Sequence, residues 1–195
     1  MTYTNQQRAE RIQRLLQTPR VYWTPLQAEN KVDGLVDLCV KYLESTDTAV
    51  EVGCFSGVSS RVIALHCGVL HCVDPYNWEA VAEAEQMFDS VIGDYPNILK
   101  VKLPSVEAAK LFEDGSIDFV YIDADHAYDS VVEDISAWRG KVKAGGYIAG
   151  HDSHMGEVLQ AVRDCLGEPI EIFADTSWIV RPWNSRTEPS TNTNG

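Results

Sequence analysis

Two short segments place acids and histidines together directly after apolar runs. Residues 122–126 contain Asp123 and His126, and residues 150–152 contain His151 and Asp152. If the two apolar runs are neighbouring parallel strands, their carboxyl ends meet at one edge of the sheet, and both acids reach a common cation. A carboxylate-rich site suits a hard ion, so we expect Mg²⁺, with Mn²⁺ or Ca²⁺ as alternatives.

The histidines and a third acid have different expected roles. His126 follows Asp123 by three residues, on the side where a substrate would enter, so we interpret it as a general base. Holding a loop carbonyl in place is its structural alternative. We interpret His151 as an auxiliary metal ligand or as a residue that orients the ligands. Asp129 is expected only to cap the helix that follows.

A glycine turn follows an earlier apolar run. Glu51, Gly53 and Gly57 have the spacing Glu-x-Gly-x-x-x-Gly, in which the glycines permit a tight turn and a close approach to a ligand. This spacing predicts a nucleoside cofactor and departs from the Gly-x-Gly-x-x-Gly of dinucleotide dehydrogenases. Asp74 lies 21 positions after Gly53, where an acid can bind the hydroxyls of a ribose. Opening a turn before Pro75 is the alternative.

These residues need a scaffold, and strand-like runs alternate with helical patterns along the chain. The order predicts an α/β fold: a doubly wound, mostly parallel, seven-stranded Rossmann-like sheet with an antiparallel C-terminal hairpin. Ligands bind at the carboxyl ends of such strands, where the acids lie. The predicted strands are 48–52, 69–73, 98–103, 117–122, 147–149, 170–174 and 177–180, and the predicted helices are 24–43, 80–91, 106–112, 131–138 and 158–166.

Composition limits the partners. The chain has 195 residues and a formal net charge of −13, which argues against nucleic acid, because phosphate binding needs a basic face. No run resembles a leader or a membrane span, so we expect a soluble cytoplasmic protein. We expect one domain over residues 1–183, with N-terminal helices within 1–45 and a disordered tail over 184–195. The five cysteines lie in apolar patterns without Cys-x-x-Cys, which predicts reduced core thiols rather than a zinc site.

Five segments together resemble the class I S-adenosylmethionine-dependent methyltransferases. They are residues 50–60, 73–76, 122–128, 143–153 and 176–181, and the resemblance covers about residues 30–182. Within that class, residues 122–128 and 145–152 look like the small metal-dependent O-methyltransferases. These include the macrocin and mycinamicin sugar methyltransferases and, more distantly, the catechol enzymes.

The resemblance implies S-adenosylmethionine as cofactor and a small hydroxylated acceptor, a sugar or a phenol. It implies that the glycine turn lines the methionine part, that Asp74 binds the ribose, and that Ser105, itself the expected cap of helix 106–112, lies near the adenine. Asp123 and Asp152 match the metal acids and His126 the base, whereas Ser153 departs from the pattern and leaves the third ligand open. The predicted cofactor residues are Glu51, Gly53, Cys54, Phe55, Gly57, Ser59, Asp74, Pro75, Tyr76, Ser105 and Asp123.

Two other classes stay open at this point. A nicotinamide-dependent oxidoreductase or epimerase would share the sheet and Asp74, but the third glycine and a Tyr-x-x-x-Lys pair are missing from the sequence. The second class is a protein that binds S-adenosylmethionine without catalysis and acts through a partner. The presence of Asp123, Asp152 and His126 argues against this class. The oligomeric state, including a homo-oligomer, is also open.

Overall fold

The computed structural model describes Gln6, Glu10 and residues 33–77 and 82–182. The start of the predicted N-terminal helix and the predicted tail over 184–195 lie outside these residues. The strands are β1 (Thr48–Val52), β2 (Val69–Val73), β3 (Ile98–Val101), β4 (Ile117–Ile122), β5 (Val142–Gly150), β6 (Glu171–Ile172) and β7 (Trp178–Val180). The helices are α1 (Asp33–Tyr42), α2 (Val58–Ala64), α3 (Ala82–Ile92), α4 (Ser105–Ala109), α5 (Tyr128–Arg139) and α6 (Gly156–Leu166).

The seven strands form one sheet, in the order β3-β2-β1-β4-β5-β7-β6. Strands β1 to β5 are parallel to one another, and β7 runs antiparallel to both β5 and β6. The prediction of a doubly wound sheet with an antiparallel C-terminal hairpin is therefore confirmed. Because strand order reverses between β1 and β4, the carboxyl ends of these strands open a crevice at that edge.

Two apolar layers hold the helices on the sheet. The first layer contains Leu35 of α1, Ile63 of α2 and Phe88 of α3, and the second contains Ile135 of α5 and Val158 of α6. Successive side chains of a strand point to opposite faces, so β1 sends Ala49 into the first layer and Val50 and Val52 into the second. The same alternation places Glu51 on the first face, beneath α2.

Several predicted boundaries move by a few residues. Strand β5 begins at Val142 rather than at residue 147, because its first half contains lysine, alanine and two glycines that give no apolar signal. Its pairing with β4 is irregular between Ile117 and Phe119. Strand β3 ends at Val101 instead of residue 103, and β6 and β7 are shorter than predicted.

The two predicted helix caps are wrong. Ser105 is the first residue of α4, and Pro104 takes the cap position with an extended backbone. Likewise Ala127 is the cap of α5, which leaves Asp129 in the first helical turn. Asp129 is acidic near a helix N-terminus, which is favourable for the helix dipole without a capping bond.

The state of the cysteines and the length of the helices agree with the expectations from the sequence. All five cysteines are free, and all except Cys165 are buried, as predicted for reduced core thiols. Within residues 33–77 and 82–182, no helix is long and apolar enough to cross a membrane.

Candidate functional site

The glycine turn joins the ends of two strands. Gly53 has φ +86°, and a Cβ at this residue would collide with the backbone carbonyl of Asp123 at the end of β4. Only glycine therefore lets β1 end so close to its neighbour. Gly57, with φ +80°, instead faces α3, because a Cβ there would lie 3.0 Å from Phe88 and from Val91. Gly57 thus permits close packing against α3, and its part in the cofactor site stays a prediction.

Glu51, a predicted cofactor residue, has its side chain buried within the fold. Its carboxylate is fully buried under α2, where Oε2 accepts hydrogen bonds from the Ser60 hydroxyl and, at 3.5 Å, from the Cys72 thiol. Burial raises the pKa of Glu51 to about 7, and hydrogen bonds from Ser59 and Ser60 limit the rise. The pleat of β1 explains this orientation, since the residue before the last one of the strand points into the first layer, and a part for Glu51 in the cofactor site stays a prediction.

Asp74 holds the turn after β2 and also faces the crevice. Its Oδ1 accepts a hydrogen bond from the backbone N–H of Tyr76, and its Oδ2 accepts one from Phe55, both at 3.0 Å. The hydroxyl of Tyr76 in turn donates to the carbonyl of Phe55 at 2.8 Å. The turn-opening interpretation is therefore correct as far as it goes, and the ribose role stays a prediction, because a carboxylate accepts more than two hydrogen bonds.

A cavity of about 910 Å³ crosses the carboxyl ends of β3, β2, β1, β4 and β5. Most predicted residues line it: Gly53, Cys54, Phe55, Ser59, Asp74, Pro75, Ser105, Asp123, His126, His151 and Asp152. Glu51, Gly57 and Tyr76 are absent from its lining. Its volume lies in the range of small-molecule sites.

Part of the lining of this cavity was not predicted from the sequence. The residues not predicted include Tyr121, Ser130 and Asp134. Asp134 lies on the same helical face as Val131 and Trp138, so a single acid within a buried apolar stripe was the available signal.

The predicted acids and histidines meet at the β4–β5 end of the cavity. Nε2 of His126 lies 2.7 Å from Oδ2 of Asp152 and 3.7 Å from Oδ1 of Asp123. Nδ1 of His151 lies 3.1 Å from Oδ1 of Asp152 and 4.0 Å from Oδ1 of Asp123. Asp152 itself has a left-handed backbone with φ 60°, which turns its carboxylate back over the strand end. His154 is exposed, and its Nδ1 lies 3.6 Å from Oδ1 of Asp152.

The charges in this cluster are strongly coupled. The carboxylates of Asp123 and Asp152 raise the pKa of His126 to about 10, so the ring holds its proton at neutral pH. Burial opposes ionisation of Asp152, but contacts from His126 and His151 hold its pKa well below the usual range. Burial also acts against His151, yet Asp152 and Asp123 keep its pKa raised. The cluster is therefore a centre where positive charge is strongly favoured.

The donor set fits a divalent cation. Asp123, His126 and Asp152 offer ligand atoms that all lie within 4.8 Å of one another. Among the described residues, Nε2 of His151 is buried and finds no hydrogen-bond partner. One nitrogen and two carboxylates converging on a point are suitable ligands for Mg²⁺ or Mn²⁺. The other such group among the described residues, Glu51 with Cys54 and Cys72, is fully buried and contains two protonated thiols.

A family model described as a methyltransferase domain matches residues 50–153, slightly more than half of the chain. The match spans the glycine turn, Asp74 and the whole of the β4–β5 cluster, and it does not favour the nicotinamide interpretation. A sequence search of curated proteins finds no match.

Solved structures are similar in fold. The N-methyltransferase NodS of Bradyrhizobium japonicum gives a TM-score of 0.59 at 14% identity, over 84% of this chain and 100% of that chain. A Streptococcus mutans protein solved in complex with SAH gives 0.58 at 11% identity, over 78% and 96%. The precorrin 8W decarboxylase of Methanobacterium thermoautotrophicum gives 0.54 at 18% identity, over 76% and 74%. At these identities the similarity shows the fold alone.

Proposed function

The chain belongs to this methyltransferase family, and on that premise we propose that it transfers the methyl group of S-adenosylmethionine to a hydroxyl of a small sugar or phenol, with a divalent cation at the β4–β5 cluster. The observation that carries the proposal is the convergence of Asp123, His126 and Asp152 at one end of the cavity that Asp74 also lines.

The cavity has the charge that this cofactor needs. S-Adenosylmethionine carries a sulfonium, an ammonium and a carboxylate group and is therefore net positive, and the cavity presents the carboxylates of Asp74, Asp123 and Asp152. Gly53 and Ser59 line the wall between Asp74 and the cluster, next to the N-terminus of α2. The chain therefore offers acids at both ends and a narrow glycine turn between them, which supports binding of an elongated cationic nucleoside.

Asp123 and Asp152 would hold the cation. The ring of His126 lies 2.7 Å from Asp152, and the carboxylates of Asp123 and Asp152 raise its pKa. When bound, the cation supplies a charge that acidifies a hydroxyl beside it and stabilises the developing oxyanion. The side chains around the cation would hold the acceptor hydroxyl in place, and positioning of this kind contributes a large part of the rate of methyl transfer.

The high pKa of His126 sharpens its proposed role as a base. A ring that keeps its proton to about pH 10 cannot accept another at neutral pH. With a cation beside Asp123 and Asp152, the second positive charge would lower the pKa of the ring, and His126 could then accept a proton. This dependence links the base and the cation in one site.

A methylation assay tests the proposal. The protein is incubated with S-adenosylmethionine that carries a labelled methyl group and with a panel of sugar and phenol acceptors, with and without EDTA. We expect labelled product with one class of acceptor, its loss in EDTA, and its return when Mg²⁺ is added in excess. Full activity in EDTA would refute the role of the cation. If amines were methylated and no hydroxyl acceptor was, O-methylation would be refuted.

One variant separates the two roles that His126 can have. His126→Ala is assayed for methyl transfer and, by calorimetry, for Mn²⁺ binding. If His126 is the base, transfer falls by about 100-fold or more while Mn²⁺ still binds. Loss of Mn²⁺ binding would instead make His126 a metal ligand, and retention of most of the rate would remove it from the mechanism.

A further inference from the structure

We propose that Asp134 recognises the adenine amine of the cofactor and that Ser105 and Trp138 orient its carboxylate for this purpose. The proposal rests on the proposed function, because it takes S-adenosylmethionine as the ligand of the cavity. It concerns the end of the cavity opposite the acid and histidine cluster, where Asp134 had no predicted role.

The order of the strands places the base of the cofactor near Asp134. The cluster of Asp123, His126 and Asp152 follows β4 and β5, whereas Asp74 follows β2, two strands farther along the sheet. In S-adenosylmethionine the sulfonium and the base lie on opposite sides of the ribose. With the methyl group toward the cluster and the ribose at Asp74, the base extends past β2 toward β3, where Ser105 and Asp134 line the cavity.

A chain of hydrogen bonds fixes which groups face the base. The indole Nε1–H of Trp138 donates to Oγ of Ser105 at 2.9 Å. The hydroxyl of Ser105 in turn donates its only proton to the carboxylate of Asp134, which partly offsets the effect of burial on the pKa of that acid. Ser105 therefore has no proton left for a ligand, and both residues present only acceptors to the cavity.

An acceptor-only surface selects a donor. The exocyclic amine of adenine carries two N–H groups, whereas unsubstituted purine has the same ring nitrogens and only a C–H at this position. Asp134 is 6% exposed, and burial raises its pKa to about 6, so it is largely ionised at pH 8 but poorly hydrated. A buried carboxylate that receives one hydroxyl donor has further oxygen lone pairs to satisfy, and an amine meets that need while a C–H does not.

A purely structural role for Asp134 is the competing explanation. Its bond to Ser105 joins α5 to the start of α4, and Ala108 and Ile135 pack in the same apolar layer. Such a link would stabilise the fold but would not make the protein distinguish between two bases. Base discrimination is therefore the readout that separates the two roles.

The test compares two ligands that differ only at this position. Calorimetry at pH 8 measures the binding of S-adenosylhomocysteine and of its purine analogue, in which a hydrogen atom replaces the amine. We expect the wild-type protein to bind S-adenosylhomocysteine at least about tenfold more tightly, because a site built to bind N–H groups rejects the analogue that lacks them. In Asp134→Asn the amide can donate toward the ligand, and the preference should fall to about threefold or less.

Asp129→Asn is the matched control. It removes the same charge from the same helix at an exposed position outside this cavity, and it should keep the wild-type preference. An Asp134→Asn protein that keeps the full preference, or a wild-type protein that binds both ligands equally, overturns the inference while leaving the proposed function standing. A wild-type protein that binds neither ligand overturns both.

A second variant protects the test against misfolding. If circular dichroism shows that Asp134→Asn is unfolded, Ser105→Ala removes the hydroxyl that orients the carboxylate and should reduce the preference by about threefold. An unchanged preference in Ser105→Ala then overturns the inference.

Discussion

Glu51 and Asp152, two acids near strand ends, are held in opposite electrostatic states. Glu51 is the fourth residue of β1, fully buried, and its pKa is raised to about 7 mainly by burial. Asp152 lies two residues beyond β5, between two histidines that keep its pKa well below the usual range despite burial. One site favours a proton, and the other favours a positive ion.

The position of each acid relative to its strand explains the contrast. Glu51 is still within the pleat, so alternation directs it into the layer beneath α2 and toward Ser60. Asp152 has left the strand, and its left-handed backbone lets it face the crevice. An acid inside a strand end therefore supports the turn, whereas an acid just past a strand end is available to a ligand. The following variants test this contrast, from the largest expected effect to the smallest.

Gly53→Ala would disrupt the joint between the two regions. A Cβ at Gly53 collides with the carbonyl of Asp123, which is backbone and cannot move aside, and φ +86° adds strain. We expect the free energy of unfolding to fall by about 4 kcal/mol or more in chemical denaturation. Gly115→Ala is the control, because its φ is +67° with open space around it, and about 1 kcal/mol is expected there. Equal losses in the two variants would contradict the close contact.

Glu51→Gln tests the buried acid through pH. The pKa of Glu51 is higher in the folded than in the unfolded state, so the unfolded state ionises first as pH rises. Wild-type stability is therefore lost progressively between about pH 4.5 and pH 7, by about 3 kcal/mol in total. The variant lacks this loss, so its stability relative to wild type should rise by about 2 kcal/mol between about pH 5.5 and pH 8. If the free energies of unfolding of the two proteins changed in parallel with pH, the ionisation of Glu51 would cost no stability.

Asp152→Asn tests the other acid through metal binding. Removing one of two carboxylates and leaving two histidines at the site should weaken Mn²⁺ binding by about 100-fold, as measured by calorimetry or by the Mn²⁺ resonance signal. Glu51→Gln, which removes a carboxylate outside the cavity, should leave Mn²⁺ affinity unchanged. If wild type and Asp152→Asn bound Mn²⁺ with equal affinity, the cation site could not be at this cluster.

His154→Ala should have the smallest effect. Its side chain is 60% exposed and lies 3.6 Å from Asp152, compared with 2.7 Å for His126. An exposed contact of this length contributes little, so Mn²⁺ affinity should change by less than about threefold. A large loss would extend the cluster beyond the three residues that converge.

The sequence predicted the scaffold well because its signal is periodic. Apolar runs such as residues 48–52, 69–73 and 117–122 match strands β1, β2 and β4 at both ends. Strand β5 was predicted too short, since its first half pairs through backbone bonds and has few apolar side chains. The caps of α4 and α5 were wrong by one or two residues, because Pro104 and Ala127 take the cap positions without a side-chain hydrogen bond.

The site was predicted in part. Asp123, His126 and Asp152 were brought together in the prediction because neighbouring parallel strands end at one edge, and the structure places them together. The orientation of Glu51 and the packing role of Gly57 depend on the pleat and on α3, which the glycine spacing does not encode. Asp134 was missed because its role arises from a contact between α5 and Ser105, far apart in sequence.

A crystal structure of the protein with S-adenosylhomocysteine and Mn²⁺, with the anomalous signal of manganese recorded, tests the central claim most directly. We expect the ion between Asp123 and Asp152, the ribose hydroxyls at Asp74, and the sulfur of the ligand facing the ion. Ligand density in the cavity without an anomalous peak at the cluster would contradict the cation, and ligand bound away from Asp74 would contradict the cofactor site as a whole.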